Sequence, residues 1–199
     1  PQICEMERAD GQYPTGKGRT FHIMQSPTAL QVTISKAGVS LNGILAVPVN
    51  PTGIIAFAHG SGSGRFSPRN QFVARHLEGG GLATLLLDLL PPNEADDRRK
   101  VFDIDLLADR LLLAQDWLSK HPSTSGLKTG YFGASTGAGA ALQAAAREPQ
   151  KVHALVSRGG RPDLACSYLS QVAAPTLLLV GGDDGPVIDM IREARTGLT

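Results

Sequence analysis

Gly133-Ala134-Ser135-Thr136-Gly137 places a serine with a glycine two residues away on each side. The apolar run from Thr129 before it reads as a buried strand, and the small residues after it read as a helix, so the serine falls on a strand-to-helix turn. A nucleophile raised on so tight a turn needs both glycines, because backbone and helix approach too closely for side chains there. The chemistry this suits is attack on a carbonyl. The helix N-terminus lies beside the reacting carbon, and the free Thr136 amide stabilises the developing oxyanion. The plainer alternative is a glycine-rich turn that only lets a helix pack on a sheet.

A second loop points the same way. The strand candidate Ile54 to Ala58 runs into His59-Gly60-Ser61-Gly62-Ser63-Gly64, a glycine loop at a strand end that can offer a second backbone amide to the same oxyanion. Ser61 is the candidate donor. As a phosphate cradle the loop is weak, since Gly60, Gly62 and Gly64 match neither the dinucleotide fingerprint nor a P-loop with its lysine. A triad acid belongs after a later strand, in the chain order serine, acid, histidine. Thr176 to Val180 is such a strand, and Gly181-Gly182-Asp183-Asp184 follows it. Asp184 is favoured over Asp183, with a helix-capping turn acid as the alternative for both.

The base is the difficulty. It belongs in a loop after one more strand, and none follows within the 199 residues. His22 stands in the N-terminal region, His76 within a helix, and His121 and His153 at entrances to strands. His59 alone is on the productive edge, where its expected work is to support the oxyanion loop or contact substrate. Arg65 and Arg69 follow the first buried strand, and Arg158 and Arg161 follow the fourth. Guanidinium groups suit carboxylates, so these four are candidate contacts for an anionic ester or lactone. Loop anchoring, for instance of Arg161 on Asp163, is the competing role. Asp88 reads as a loop anchor, and Cys166 as a small buried residue.

The elements that must hold these residues are legible from Leu30 onward. Leu30, Val32 and Ile34 alternate with polar residues, Lys36-Ala37-Gly38 turns, and Val39, Leu41 and Gly43 to Val49 return, which predicts an antiparallel hairpin. Beyond Pro51 come short apolar runs, Ile54 to Ala58, Ala83 to Asp88, Thr129 to Gly133, Ala154 to Ser157 and Thr176 to Val180. They alternate with helical stretches at Arg69 to Glu78, Asp103 to Lys120, Ser135 to Arg147, Pro162 to Leu169 and Pro186 to Arg195. This predicts an α/β fold with a mostly parallel sheet covered on both faces by helices, and sites at the carboxyl ends of its strands. Residues 1–28, polar and broken by glycine and proline, are expected to be a loose arm, and residues 29–199 a single domain. The start at Pro1 and the end at Thr199 inside a helical pattern lead us to expect a C-terminally incomplete domain, with a last strand and helix missing.

Composition narrows the partners. The 19 basic and 18 acidic side chains give a net charge of +1 without runs of one sign, which argues against nucleic acid. Apolar runs fall well short of the roughly 20 residues that span a bilayer, so no membrane partner and a cytoplasmic location are expected. Cys4 and Cys166 are too far apart for a metal-ligand motif, so no metal and no organic cofactor is expected.

Four separated segments now carry a resemblance. They are His59-Gly60-Ser61-Gly62-Ser63-Gly64-Arg65 with Ser67-Pro68-Arg69-Asn70, Gly130 to Gly137, Ser157-Arg158-Gly159-Gly160-Arg161-Pro162-Asp163-Leu164, and Pro175 to Asp184. Together, over about Leu30 to Arg195, they resemble the dienelactone-hydrolase-like branch of the α/β hydrolases. The resemblance implies the α/β-hydrolase fold, Ser135 as nucleophile and Asp184 as triad acid. Dienelactone hydrolases proper use cysteine as nucleophile, so serine here points to a carboxylesterase. The function expected is hydrolysis of small carboxylic esters or lactones through an acyl-enzyme on Ser135. The alternative is a catalytically silent binding protein of the same fold, in which an open sheet edge pairs two copies into a homodimer. A nucleotide-binding module is a weaker third reading.

Overall fold

Apolar runs with no polar face cannot border water, so they must be covered on both sides. In the computed structural model, which describes residues 3–6 and 29–198, they form the interior of an eight-stranded mixed sheet. The first half of the chain contributes β1 (Ile3–Met6), β2 (Ala29–Lys36), β3 (Val39–Ala46), β4 (Gly53–Ala58), α1 (Pro68–Gly79) and β5 (Leu82–Leu87). Two short helices, α2 (Pro92–Ala95) and α3 (Arg98–Val101), lead into α4 (Ile104–Leu118). Then come β6 (Thr129–Ala134), α5 (Thr136–Arg147), β7 (Val152–Arg158), a 3-10 helix (Pro162–Gln171), β8 (Thr176–Gly181) and α6 (Gly185–Gly197). Across the sheet the order is β1-β8-β7-β6-β4-β5-β3-β2. β2 pairs with β3, and β3 with β5, in antiparallel fashion; the other pairings are parallel. The expected hairpin is β2–β3, closed by Ala37 and Gly38 at φ of 50° and 81°, the two-residue turn that matches strand twist.

Side-chain alternation along the strands divides the core. Ile54, Ala56 and Ala58 of β4, with Leu85 and Tyr131, pack toward α4 and α5. Phe57, Leu86 and Phe132 pack toward Ala74, Val73 and Leu77 of α1. The expected helices on both faces are therefore present. Helix α5 is buried from Thr136 to Ala146, and its alanines and glycines let it lie close to the sheet. Asp103 caps α4 by accepting the Leu106 amide at 2.9 Å.

Three expectations are corrected. Ile3–Met6 is a strand and not part of a loose arm: it pairs in parallel with Leu178 to Gly181, whose backbone groups otherwise lack a ladder partner on that side. The edge expected to stand open beside β8 is thus occupied, while residues 7–28, with His22, lie outside the described residues. Cys166 is exposed, not buried. The helix expected from Pro162 is a 3-10 segment interrupted at Ala165 (φ −118°), where the chain bends to bury Ala165 and Leu169 in the core. No helix among the described residues is long and apolar enough to cross a membrane.

Candidate active site

In a parallel sheet, loops diverge where the strand order reverses, and the cleft opens there. Here that point lies between β4 and β6, since the chain runs from β4 to β5 on one side and later returns to β6 on the other. The loops leaving these two strands carry His59 to Gly64 and Ser135. Ser135 stands at φ 50° and ψ −125° at the N-terminus of α5, and its side chain makes no capping hydrogen bond. That leaves the hydroxyl uncommitted among the described residues, in a backbone conformation that non-glycine residues avoid. The flanking glycines hold the turn. A Cβ on Gly133 would come within 2.8 Å of the Gly137 carbonyl oxygen, and one on Gly137 would fall on the carbonyl oxygens of Ala58 and His59. The Arg161 amide donates to the Ser135 carbonyl at 3.2 Å and fixes the turn from the next loop.

The two loops meet closely. A Cβ on Gly60 would lie 2.8 Å from Ser135 Cβ, so the next residue, Ser61, borders the serine. The Ser61 amide donates to no group among the described residues, and the Thr136 amide, first in α5, has no partner within the helix. Thr136 is buried. Both border a cavity of about 580 Å³ whose apolar wall includes Phe66, Leu90, Val101 and Leu107. Part of that wall comes from α2 and α3, which sequence periodicity does not reveal because a four-residue helix completes barely one turn and the pattern never recurs. Asp97, which caps α3 by accepting the Arg99 amide, is the available signal.

His59 is structural. Its Nδ1 lies 2.9 Å from the Gly60 carbonyl oxygen, and its Nε2 accepts the Leu89 amide at 3.0 Å. The proton must therefore sit on Nδ1, and neither nitrogen is left to take one from Ser135. The ring borders the cavity, and its polar atoms tie the loop after β4 to the loop after β5, the loop-supporting role. Burial holds its pKa below the ordinary histidine value. A histidine depressed in the folded state stabilises the fold above its unfolded pKa of about 6.5, and that contribution is lost as pH falls below it. We therefore expect the denaturant midpoint to fall from about pH 8 to about pH 5, and His59→Gln to flatten that slope. An unchanged slope in the variant would assign the acid sensitivity elsewhere.

The remaining candidates separate. Asp184 follows β8 on the same sheet edge, exposed at the N-terminus of α6 and without a capping bond from its side chain; no described contact joins it to Ser135. Arg65 is neutralised: Asp88 accepts its backbone amide at 2.6 Å and its guanidinium as well. Arg161 is clamped by Asp163 at 2.7 and 2.8 Å. These two anchor loops, the competing role. Arg69 and Arg158 have no acidic partner among the described residues. No group of three or more His, Cys, Asp or Glu among the described residues is placed to hold a metal ion.

No family model matches the chain. It is similar in structure to a dienelactone hydrolase from Anabaena variabilis, with 56% identity and a TM-score of 0.84 over 87% of this chain and 82% of that one. A cold-adapted esterase from an Arctic intertidal metagenomic library shares the fold at 15% identity and a TM-score of 0.73, over 94% and 85% of the two chains. In sequence it is 54% identical over 165 residues to a protein of two Mycobacterium tuberculosis strains, named "Putative phosphoribosyl transferase" in both. The match takes in 83% of this chain but spans only 37% of the length of those relatives.

Proposed function

This chain belongs to the dienelactone-hydrolase-like α/β hydrolases, and from that premise we propose that it cleaves small carboxylic esters or lactones through an acyl-enzyme on Ser135. The observation that supports this most is the Ser135 backbone, held at φ 50° on the turn into α5 with its hydroxyl uncommitted. Strain of that kind persists only where surrounding structure enforces it. In this reading the Ser135 oxygen adds to the carbonyl carbon, and the Ser61 and Thr136 amides take the charge of the oxyanion. A histidine from outside the described residues, oriented by Asp184, removes the Ser135 proton and returns it to the leaving alcohol. Water then opens the acyl-enzyme by the same steps in reverse order.

A second reading is favoured by His59, whose ring nitrogens are both engaged. Without another base the chain keeps a pocket and binds small acyl ligands without turning them over. The transferase name of the Mycobacterium relatives finds less support, because neither glycine loop has the pattern of a phosphate cradle.

Treatment with a fluorophosphonate ester, followed by peptide mass spectrometry, separates the two. The hydrolase reading expects one adduct, on the peptide that carries Ser135. An unlabelled Ser135 in folded protein would leave the binding reading standing.

A further inference from the structure

Of the four arginines at the carboxyl edge of the sheet, two are neutralised by acids and two face each other. Arg158 ends β7 opposite Ala134, the residue before Ser135. Its side chain shares a face with Val156, which packs in the cluster under α1. There it meets Arg69, from the first turn of α1, and the two border a groove of about 400 Å³ whose other walls are Pro68, Phe72 and Val73. Pro68 also lines the cavity beside Ser61 and Thr136, so the groove adjoins the reaction site.

The charge there is unbalanced. Neither guanidinium has an acid partner among the described residues, and the first turn of α1 holds no acid. The positive end of the helix dipole adds to the same field. Burial and the neighbouring Arg69 both disfavour the charged form of Arg158, so the pair costs stability unless an anion joins it. A carboxylate carries one charge and leaves the pair half compensated. A phosphate monoester carries about −1.5 to −2 at pH 7 and three acceptor oxygens, enough for both forks. The exposed Phe72 and the apolar floor suit a small organic body attached to it. Two cations on a chain of net charge +1 give no track for a nucleic-acid backbone.

We propose that Arg69 and Arg158 hold the phosphate monoester group of the molecule whose ester or lactone bond is opened at Ser135. The phosphate is a handle and is not itself cleaved. The substrate half of this proposal rests on the Ser135 reading; the binding half does not.

The test is calorimetric titration of the whole chain with inorganic phosphate and with phenyl phosphate, against acetate at matched ionic strength. Phosphate should bind at least about tenfold more tightly than acetate, and Arg69→Gln or Arg158→Gln should weaken it at least about tenfold. Arg69 is exposed, so its variant should fold, as circular dichroism would confirm. Equal binding of acetate, or phosphate binding that survives both substitutions, overturns the proposal. In the kinetic arm, phosphate should compete with a phosphorylated ester and that ester should be preferred over its unphosphorylated counterpart; absence of both overturns the substrate half. Phosphate binding through the pair with no ester hydrolysis at all would remove the hydrolase reading and leave the phosphate site in place.

Discussion

Gly137→Ala is expected to lose a large part of the protein's stability, with a melting temperature lowered by about ten degrees or more, or no folded protein at all. The added methyl would fall on the carbonyl oxygens of Ala58 and His59, and these belong to backbone, which cannot swing aside as a side chain does. Ala58 is hydrogen-bonded in the centre of the sheet, between β5 and β6. Gly137 lies in the first turn of α5, whose face is buried along almost its whole length. Relief would require the helix to retreat from the sheet and open voids beneath Ala140, Ala141 and Leu142. Ordinary overpacking costs about 1–3 kcal/mol; a clash between backbones in a buried layer should exceed about 4 kcal/mol, a large part of a typical stability of about 5–15 kcal/mol. Gly79→Ala is the control, since a Cβ there meets nothing within 4 Å and α1 tolerates alanine. If Gly137→Ala melted within a few degrees of the native chain while keeping its circular dichroism, the close approach of α5 to β4 would be wrong.

That close approach is legible in the sequence, because glycine two residues to either side of a serine has a steric reason. The strands were legible for a related reason. Runs such as Ala83 to Asp88 and Thr176 to Val180 have almost no polar face, and only a sheet covered on both sides accommodates them. What stayed hidden depends on pairing over long range. Ile-Cys-Glu-Met at the start of the chain carries too few residues to show an alternation, and only the backbone of β8 beside it makes it a strand. Local sequence likewise cannot divide four arginines into two that are clamped and two that have no acidic partner among the described residues. Arg161 has Asp163 two residues away, whereas the partner of Arg65 is Asp88, contributed by the end of another strand. The same holds for His59, whose position at a strand end suggests chemistry, while the Leu89 amide that occupies its Nε2 arrives from the loop after the neighbouring strand β5.

Ser135→Ala should separate catalysis from folding cleanly. The substitution keeps Cβ and removes an oxygen that caps nothing, so stability should stay within about 0.5 kcal/mol of the native chain. Hydrolysis of a short p-nitrophenyl ester should fall by at least about a thousandfold in kcat, since the oxyanion donors and binding alone supply only residual catalysis. Ser135→Gly should lose activity equally and yet unfold at higher denaturant. It releases a positive φ of 50° that costs about 1–3 kcal/mol in a residue with a side chain, against about 0.5–1 kcal/mol for the added backbone freedom of glycine. A gain of about 1 kcal/mol with no turnover is the signature of a residue kept strained for its reactivity. Turnover that persists in Ser135→Ala would place the nucleophile elsewhere, and a glycine variant no more stable than the alanine one would show that the turn is relaxed around its serine.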